Sequence, residues 1–236
     1  MNTFQLSQIE RGSLYDRAYI ELRDALLGGR FEPGQKITLR ALASALGISL
    51  TPVRDAVNRL VAERVVEQGP NGSAIVPYMT TEAFKDIVEV RCLLEGTAAS
   101  DAARNASEED ADRIADLLLK LTALLEKRKF HEYLLAHREF HFEIYRASRR
   151  HILLETIERL WLRSGPSLNF VVPDYVLRKK GADFHRAAVN AIRARKPTAA
   201  RDAIISDIRS AGAFVLDLAD DDGIIRKPSA SKTAAR

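Results

Sequence analysis

The fold is decided by residues 49–57, which read Ser-Leu-Thr-Pro-Val-Arg-Asp-Ala-Val. Either Ser49 or Thr51 can cap a helix here, because a hydroxyl oxygen accepts a hydrogen bond from the first turn, where Pro52 is also tolerated. Apolar residues then recur at helical spacing: Val53, Val57, Leu60 and Val61. A shorter apolar pattern precedes them and ends at a glycine: Leu39, Leu42, Ala43 and Leu46, then Gly47. Two short helices around a glycine predict a helix-turn-helix.

The flanking segments predict a complete winged helix-turn-helix domain over residues 13–78. Upstream, apolar residues recur at helical spacing until the pair Gly28-Gly29, which is a helix stop. Downstream, two short runs at residues 65–68 and 73–76 flank Gly69-Pro70-Asn71-Gly72. That arrangement is the pattern of a β-hairpin, and it supplies the wing.

A polar stripe on the second short helix faces away from its apolar residues and consists of Thr51, Arg54 and Asn58. Such a helix can lie in the DNA major groove, where Arg pairs with a guanine edge and Asn with adenine. Arg40 begins the preceding helix and can reach a phosphate or a flanking base, and Gly72 lets the wing approach the minor groove. The alternative is that these are ordinary solvated residues, and spacing alone does not decide between the two.

Length and composition favour two globular domains but leave the partner open. The chain has 236 residues, of which 46% are hydrophobic and 29% charged. Its net charge of +4 divides into +1 for residues 1–78, +1 for 79–220 and +2 for 221–236. Because no region carries a large basic excess, the case for DNA depends on where a few arginines lie.

Cysteine usage and hydropathy exclude several other classes. The single cysteine, Cys92, rules out a disulfide framework and a cysteine-based zinc module, and it suits a reducing cytosol. No uncharged apolar run approaches the roughly 18 residues of a membrane span, and the first residues lack the apolar core of a signal peptide. We therefore expect a cytoplasmic protein with no membrane partner.

Residues 83–219 show almost purely helical patterns and predict an all-α bundle of six or seven helices. The predicted helices span residues 82–105, 108–128, 130–148, 151–163, 175–195 and 198–219. Outside the two domains we expect a flexible arm over residues 1–12, a linker over 79–82 and a disordered tail over 220–236. The expected fold class is thus mostly α, a winged helix-turn-helix followed by a helical bundle.

Four polar side chains fall on stripes that apolar residues otherwise fill: His137, His141, His185 and Asp207. Burying such groups without partners costs about 1–3 kcal/mol each. One divalent cation removes that cost, since three imidazoles and a carboxylate are a common ligand set for zinc-like metals. The alternative is that each histidine is a satisfied core or near-surface residue. Glu139 makes no zinc-protease motif here, because it lies about 200° around the helix from His137.

Arg91 lies on an otherwise apolar stripe, four residues before Glu95. A buried guanidinium needs a counter-anion, and an internal pair with Glu95 would supply it. The functional alternative is that Arg91 also faces a cavity and pairs with the carboxylate of a ligand, which suits its planar set of donors. The sequence leaves both open.

The pattern Ser-x-Thr-Pro-Val-Arg-Asp-Ala at residues 49–56, with Gly-Gln-Lys-Ile-Thr-Leu at residues 34–39, resembles the GntR family of bacterial repressors. The resemblance implies that the DNA contacts are made by Arg40, Ser49, Thr51, Arg54 and Gly72. One departure is Leu50, where the family usually has Arg or Lys. The missing cation predicts weakened or redirected base recognition.

Residues 83–219 resemble the FCD effector and dimerisation domain of the FadR-type branch, and Arg-x-x-Leu-Glu at residues 91–95 resembles its signature. The usual metal set there is one Asp followed by three His. His141 and His185 match that set, whereas His137 stands where Asp is usual and Asp207 where the last His is usual. The resemblance implies a divalent Zn- or Ni-like ion with a small organic acid beside it. A count of six helices would resemble the VanR-like subgroup.

These features predict a DNA-binding transcriptional regulator rather than an enzyme. We expect a repressor that binds a palindromic operator on double-stranded DNA as a homodimer and leaves it when a small carboxylate effector binds beside the metal. One alternative is a metal sensor without an organic effector. A metallohydrolase is the other, and it lacks a carboxylate or nucleophile at a suitable offset from the metal set.

Overall fold

The computed structural model of the protein describes residues 14–177 and 180–226. These residues contain ten α-helices and five strands of two residues each. The helices are α1 (Leu14–Leu27), α2 (Leu39–Leu46), α3 (Leu50–Ala62), α4 (Thr81–Asn105), α5 (Glu108–Glu126), α6 (Phe130–Ala147), α7 (His151–Ser164), α8 (Asp174–Leu177), α9 (Lys180–Arg193) and α10 (Pro197–Leu216). The strands are β1 (Lys36–Ile37), β2 (Glu67–Gln68), β3 (Ala74–Ile75), β4 (Met79–Thr80) and β5 (Ile224–Ile225). The predicted fold class is confirmed. Over the same residues, no helix has the length and hydropathy that a membrane crossing requires.

Helices α1, α2 and α3 form a small core because each presents one apolar face. The buried residues of α3 are Val53, Ala56, Val57 and Leu60. Thr38 begins α2 by accepting a hydrogen bond from the Ala41 N–H at 3.2 Å. Gly47 ends α2 with a φ of 65°, a conformation that favours glycine. The predicted helix-turn-helix is therefore α2 and α3, with Gly47 at the turn.

A three-stranded antiparallel sheet completes this domain, in the strand order β1-β3-β2. The predicted hairpin is formed by β2 and β3, which a single 3₁₀ turn over Pro70–Gly72 connects. Strand β1 pairs with β3 and was not predicted, because two residues are too few to show a period. Gly72 lies exposed at the tip of the hairpin with a φ of 72°.

The helical domain is built around α4, which packs against α6, α7, α9 and α10. Its described part contains seven α-helices, α4 to α10. The described residues of the predicted helix over 175–195 are helical in α8 and α9, and residues 178 and 179 between them lie outside the described residues. A 3₁₀ helix, Gly165–Phe170, occupies much of the predicted break over 164–174.

The predicted linker and the first part of the predicted disordered tail pair with each other, so the prediction that the tail is disordered from residue 220 needs correction. Strands β4 and β5 are antiparallel, with Met79 opposite Ile225 and Thr80 opposite Ile224. Ile225 is buried, and its burial explains why this short segment is ordered despite the acidic residues before it. The predicted arm over residues 1–12 and the rest of the predicted tail, 227–236, lie outside the described residues.

The two domains contact each other through α1. Arg138 on α6 donates a hydrogen bond from Nη2 to Oδ1 of Asp24 on α1 at 3.0 Å. At Gly165, a side chain would place its Cβ only 2.6 Å from the carbonyl oxygen of Leu26, which is closer than real Cβ atoms come. Glycine at this position therefore allows the end of α1 to lie directly on the start of the 3₁₀ helix.

Candidate functional site

A cavity of about 60 Å³ lies inside the helical domain, enclosed mainly by α4, α6, α9 and α10. Its wall is largely apolar. The polar side chains that line it are Arg91, Tyr133, His137, His141, Ser164, Ser167, Tyr175, His185 and Asp207. The cavity can thus hold a small ligand whose polar contacts come from a few groups.

Three histidines and one aspartate meet at this cavity, from three different helices. His137 and His141 lie on α6, His185 on α9 and Asp207 on α10, and each offers a ligand atom within 4.8 Å of the others. The distance between the Nε2 atoms of His137 and His141 is 3.2 Å. Nε2 of His141 and Nε2 of His185 each lie 3.4 Å from an Asp207 carboxylate oxygen. Atoms about 2.0–2.2 Å from a common ion at tetrahedral angles lie about 3.3–3.6 Å apart, so the geometry suits a metal.

Two nitrogens of this cluster are buried without a hydrogen-bond partner. They are Nδ1 of His137 and Nε2 of His185. Nε2 of His185 lies near Asp207, but their orientation does not make a hydrogen bond. A buried unsatisfied polar atom costs about 1–3 kcal/mol. Neither nitrogen has a partner among the described protein groups, and a metal ion would give Nε2 of His185 one.

Burial and the neighbouring polar groups favour, for His137, His141 and Asp207, the protonation states that metal binding requires. Burial lowers the pKa of His137 well below its usual value, with His141 and His185 adding to the effect. Burial also lowers the pKa of His141. For Asp207, burial alone would raise the pKa, but its electrostatic interactions with His185 and His141 outweigh burial and hold the pKa well below its usual value. Neutral imidazoles and a carboxylate are the forms that bind metals.

A buried hydrogen-bonded chain orients His141. Tyr145 donates its hydroxyl proton to Glu95, so it accepts a hydrogen bond from Nδ1 of His141 at 3.0 Å. The proton of His141 therefore lies on Nδ1, which leaves the Nε2 lone pair directed at the cluster. Trp161 donates to Glu95 at 3.0 Å from the other side. Sequence reasoning missed Tyr145, although its position four residues after His141 on the same helix face is a usable signal.

Arg91 forms the internal pair that was one of its two predicted roles. Its Nε lies 2.6 Å from Oε1 of Glu95 and its Nη2 lies 3.3 Å from Oε2. Glu95 is fully buried. The guanidinium also lines the cavity, with its carbon 4.6 Å from the centre of the Trp161 ring. Nη1 is the one nitrogen that Glu95 does not engage.

Glu139 takes no part in the cluster, as the sequence predicts. Its carboxylate accepts a hydrogen bond from Arg146 at 2.8 Å on the outside of α6. Glu139 is therefore not placed to act as a general base at the cluster.

The residues predicted to contact DNA all lie on the exposed side of the winged domain. Thr51, Arg54 and Asn58 are exposed on α3, opposite its buried face. Arg40 is exposed on the first turn of α2. Ser49 occupies the N-cap position of α3, but its side chain makes no capping hydrogen bond, so the hydroxyl is not committed to the helix.

A winged helix-turn-helix with an exposed polar face on its second helix, joined to a helical domain around a cavity, defines the class of DNA-binding transcriptional regulators. Residues 14–76 match the family described as bacterial regulatory proteins, gntR family, and residues 86–210 match the FCD domain. The chain belongs to the GntR family, in the group that carries an FCD domain. It is a transcriptional regulator and not an enzyme, so the metallohydrolase alternative is wrong.

Characterised relatives and a solved structure agree with this assignment. The chain is 34% identical to the HTH-type transcriptional regulator McbR of Escherichia coli (strain K12) over 151 residues, 64% of this chain and 68% of McbR. It is 33% identical to the HTH-type transcriptional repressor GlaR of the same organism over 147 residues, 61% of this chain and 67% of GlaR. The solved structure of E. coli McbR/YncC superposes with a TM-score of 0.81 at 28% identity, covering 86% of this chain and 97% of that one.

Proposed function

We propose that this regulator is a repressor controlled by a small carboxylate that binds beside a metal ion in the helical domain. The observation that carries the proposal is the cluster of three histidines and one aspartate next to Arg91 in an otherwise apolar cavity. Repression is further supported by the similarity to GlaR, which is described as a transcriptional repressor. We expect the protein to act on DNA in the cytoplasm.

On the DNA side, α3 is the recognition helix. Arg54 and Asn58 face base edges in the major groove, while Thr51 and Ser49 bind phosphates near the start of the helix. Arg40 reaches the adjacent backbone, and Gly72 at the wing tip lets the main chain approach the minor groove. A homodimer presents two such surfaces about one helical turn apart, so the operator is a short palindrome.

His137, His141, His185 and Asp207 hold a divalent cation of the zinc or nickel type. Such an ion supplies a fixed positive charge and an open coordination position for a carboxylate oxygen. Tyr145 keeps the proton of His141 on Nδ1, and Glu95 in turn fixes Tyr145. The protein therefore prepares the site before any ligand arrives.

The charges around the cavity favour a monocarboxylate. Arg91 is positive, Glu95 and Asp207 are negative, and the three imidazoles are neutral when they ligate a metal, so the protein groups leave one negative charge. A divalent ion makes the site positive by one, and one carboxylate returns it to neutrality. Because uncompensated buried charge is costly, this balance selects for a singly charged acid. Arg91 is placed to contact that acid through Nη1.

The experiment is a thermal-shift screen of small carboxylic acids on the full-length, metal-loaded protein, followed by operator-binding measurements with each acid that raises the melting temperature. A ligand at about 100 times its Kd adds about 2.7 kcal/mol to the free energy of unfolding. We expect at least one monocarboxylate to stabilise the protein and to weaken operator binding by about 5- to 150-fold. Release by metal alone, with no response to any acid, would instead establish the metal-sensor alternative.

A further inference from the structure

The segment that follows α10, residues 217–226, returns to the connection between the two domains, and we call it the C-terminal strap. Its strand β5 pairs with β4 of the connection. The main-chain N–H of Thr81 donates a hydrogen bond to the carbonyl oxygen of Gly223 at 2.8 Å. Ile225 is 1% exposed and belongs to the hydrophobic core. The strap is therefore bound along the residues that join the winged domain to α4.

A turn formed by Asp220 and Gly223 sets the path of the strap. Oδ1 of Asp220 accepts hydrogen bonds from the main-chain N–H groups of Asp222 at 3.1 Å and Ile224 at 2.8 Å. Oδ2 of the same carboxylate pairs with Nε of Arg226 at 3.2 Å. Gly223 has a φ of 72°, which glycine adopts without strain. Loss of either residue should therefore weaken the pairing of β5 with β4.

The connection between the domains has two residues between main-chain hydrogen bonds on either side. Val76 is bound to the winged domain, since its N–H donates to the carbonyl oxygen of Gln35 at 3.0 Å and its carbonyl oxygen accepts from Gly34 at 2.8 Å. Strand β4, bound to the strap, begins three residues later. Pro77 and Tyr78 lie between, and the ring of proline fixes the φ of Pro77.

The side chain of Tyr78 contacts the winged domain at one end and the strap on its face. A side chain at Gly34 would collide with the Tyr78 hydroxyl, so this end of the ring lies directly against the winged domain. The guanidinium carbon of Arg226 lies 5.2 Å from the centre of the Tyr78 ring, within the range of a cation–π contact. The strap therefore restricts both residues at which the connection could bend.

The winged domain is held on the helical domain at two separate points. Helix α1, which begins the winged domain, pairs with α6 through Asp24 and Arg138 and with α7 through Arg23 and Glu158. The strap holds the connection, which follows the end of the winged domain. A body held at one contact can pivot about it, whereas a second contact fixes its orientation. Opening of the strap would leave α1 as a pivot.

We propose that the C-terminal strap determines which spacing of the two operator half-sites the regulator accepts. This inference rests on the proposed homodimer and its palindromic operator. The orientation of each winged domain on its helical domain sets the distance between the two recognition helices. DNA with a different spacing binds only after a winged domain pivots, which requires the strap to open. Asp220 and Gly223 are therefore positioning residues for DNA recognition.

The test selects binding sites from a library of random duplex DNA with the full-length protein and with its Asp220→Ala and Gly223→Val variants. We expect the wild type to enrich one half-site at one spacing, and both variants to enrich the same half-site over a wider range of spacings. The affinity ratio between the best spacing and one base pair more should fall in Asp220→Ala by about 2- to 12-fold for each hydrogen bond lost. The matched control is Asp222→Ala, which removes an exposed carboxylate from the same turn and should keep the wild-type spacing.

Hydrogen exchange of the Thr81 amide, which donates to Gly223, reports whether the strap is open. Exchange should be faster in both strap variants and unchanged in Asp222→Ala. Faster exchange with an unchanged spacing would overturn the role of the strap, and unchanged exchange in both variants would overturn the assignment of Asp220 and Gly223. A different half-site, or a wider range of spacings in Asp222→Ala, would also contradict the inference. If the wild type enriched no paired half-sites, the proposed palindromic operator would fail, and this inference with it.

Discussion

The side-chain amide of Asn169 donates a hydrogen bond from Nδ2 to the main-chain carbonyl oxygen of Phe31, at 3.1 Å. Asn169 belongs to the 3₁₀ helix of the helical domain, whereas Phe31 follows α1 in the DNA-binding domain. Ser167 and Val171, two residues to either side of Asn169, line the cavity. A single short segment therefore contacts the cavity on one side and the DNA-binding domain on the other.

This arrangement predicts that Asn169→Ala weakens the coupling between effector and operator. One neutral hydrogen bond is worth about 0.5–1.5 kcal/mol, which is a large part of a coupling free energy of about 1–3 kcal/mol. We expect the ratio of operator affinities without and with effector to shrink by about 2- to 12-fold. Metal content and effector affinity of the isolated protein should change little. Fluorescence anisotropy with a labelled operator measures the ratio.

Asn105→Ala provides the matched control. Its Nδ2 also donates to a main-chain oxygen, that of Ser148 at 3.0 Å, but both residues lie within the helical domain and neither lines the cavity. The control should lose a similar amount of stability and keep its response to the effector. An unchanged affinity ratio in Asn169→Ala would show that the signal does not pass through this segment.

The metal site predicts that His141→Ala combined with His185→Ala abolishes metal binding. Two of four ligands are lost, and the remaining His137 and Asp207 cannot hold a tetrahedral ion alone. The metal content of the purified protein, measured by elemental analysis, should fall from about one ion per chain to a trace, because zinc-like sites in proteins are held by three or four protein ligands. Wild-type protein treated with a chelator should melt at a similarly reduced temperature, since the metal stabilises only the folded state.

The remaining histidines supply the control for this double variant. His131 and His151 are both exposed and lie outside the cluster. The variant His131→Ala with His151→Ala removes the same number of imidazoles and should keep its full metal content. If instead the His141/His185 variant retained its ion, the four-residue cluster would not be the metal site.

Helical periodicity predicted the cluster because it places a residue on the inner face without knowledge of its neighbours. His137 and His141 share a stripe with Leu134 and Ile144, which are both buried, and the same rule assigns His185 and Asp207 inward positions from distant parts of the chain. The helical period of apolar residues indicates which side of a helix is buried. It therefore predicts that buried polar groups must find partners, and a metal is one way to supply them.

What periodicity cannot show is how buried side chains pair with one another. Tyr145 and Trp161 occupy core positions, where an aromatic ring looks the same in sequence whether or not its polar atom has a partner. Their hydrogen bonds to Glu95 depend on distances between three helices. The strand β5 was missed for a related reason, because two residues pair with a distant segment and leave no local pattern.

We expect the substitution of Arg54 on α3 to abolish recognition of the operator sequence without lowering the stability of the protein. Its side chain is exposed, so Arg54→Ala removes no packing and should leave the melting temperature and the oligomeric state unchanged. A bidentate contact to a base edge is worth about 1–3 kcal/mol of discrimination. We expect binding to the operator to fall towards the level of random DNA, measured by competition anisotropy.

The control for Arg54 is Arg159→Ala, which removes an exposed arginine from α7 in the helical domain. It changes the net charge equally and should preserve the difference between operator and random DNA. Retention of full sequence preference in Arg54→Ala would remove this residue from the recognition surface.

We expect the substitution of Leu50 by arginine to increase the affinity for operator DNA. It is 39% exposed on the first turn of α3, between the exposed residues Ser49 and Thr51, at the position where the resemblance places a cation. Leu50→Arg adds a donor that can reach a phosphate, so affinity for operator DNA should rise and the slope of log affinity against log salt should steepen by about 0.9, the value for one additional phosphate contact. Leu50→Gln, polar but uncharged, should leave the slope unchanged. If the arginine bound a base instead, affinity would rise for some operator sequences only. If the salt slope of the variant equalled that of the wild type on every sequence, Leu50→Arg would make no contact with phosphate.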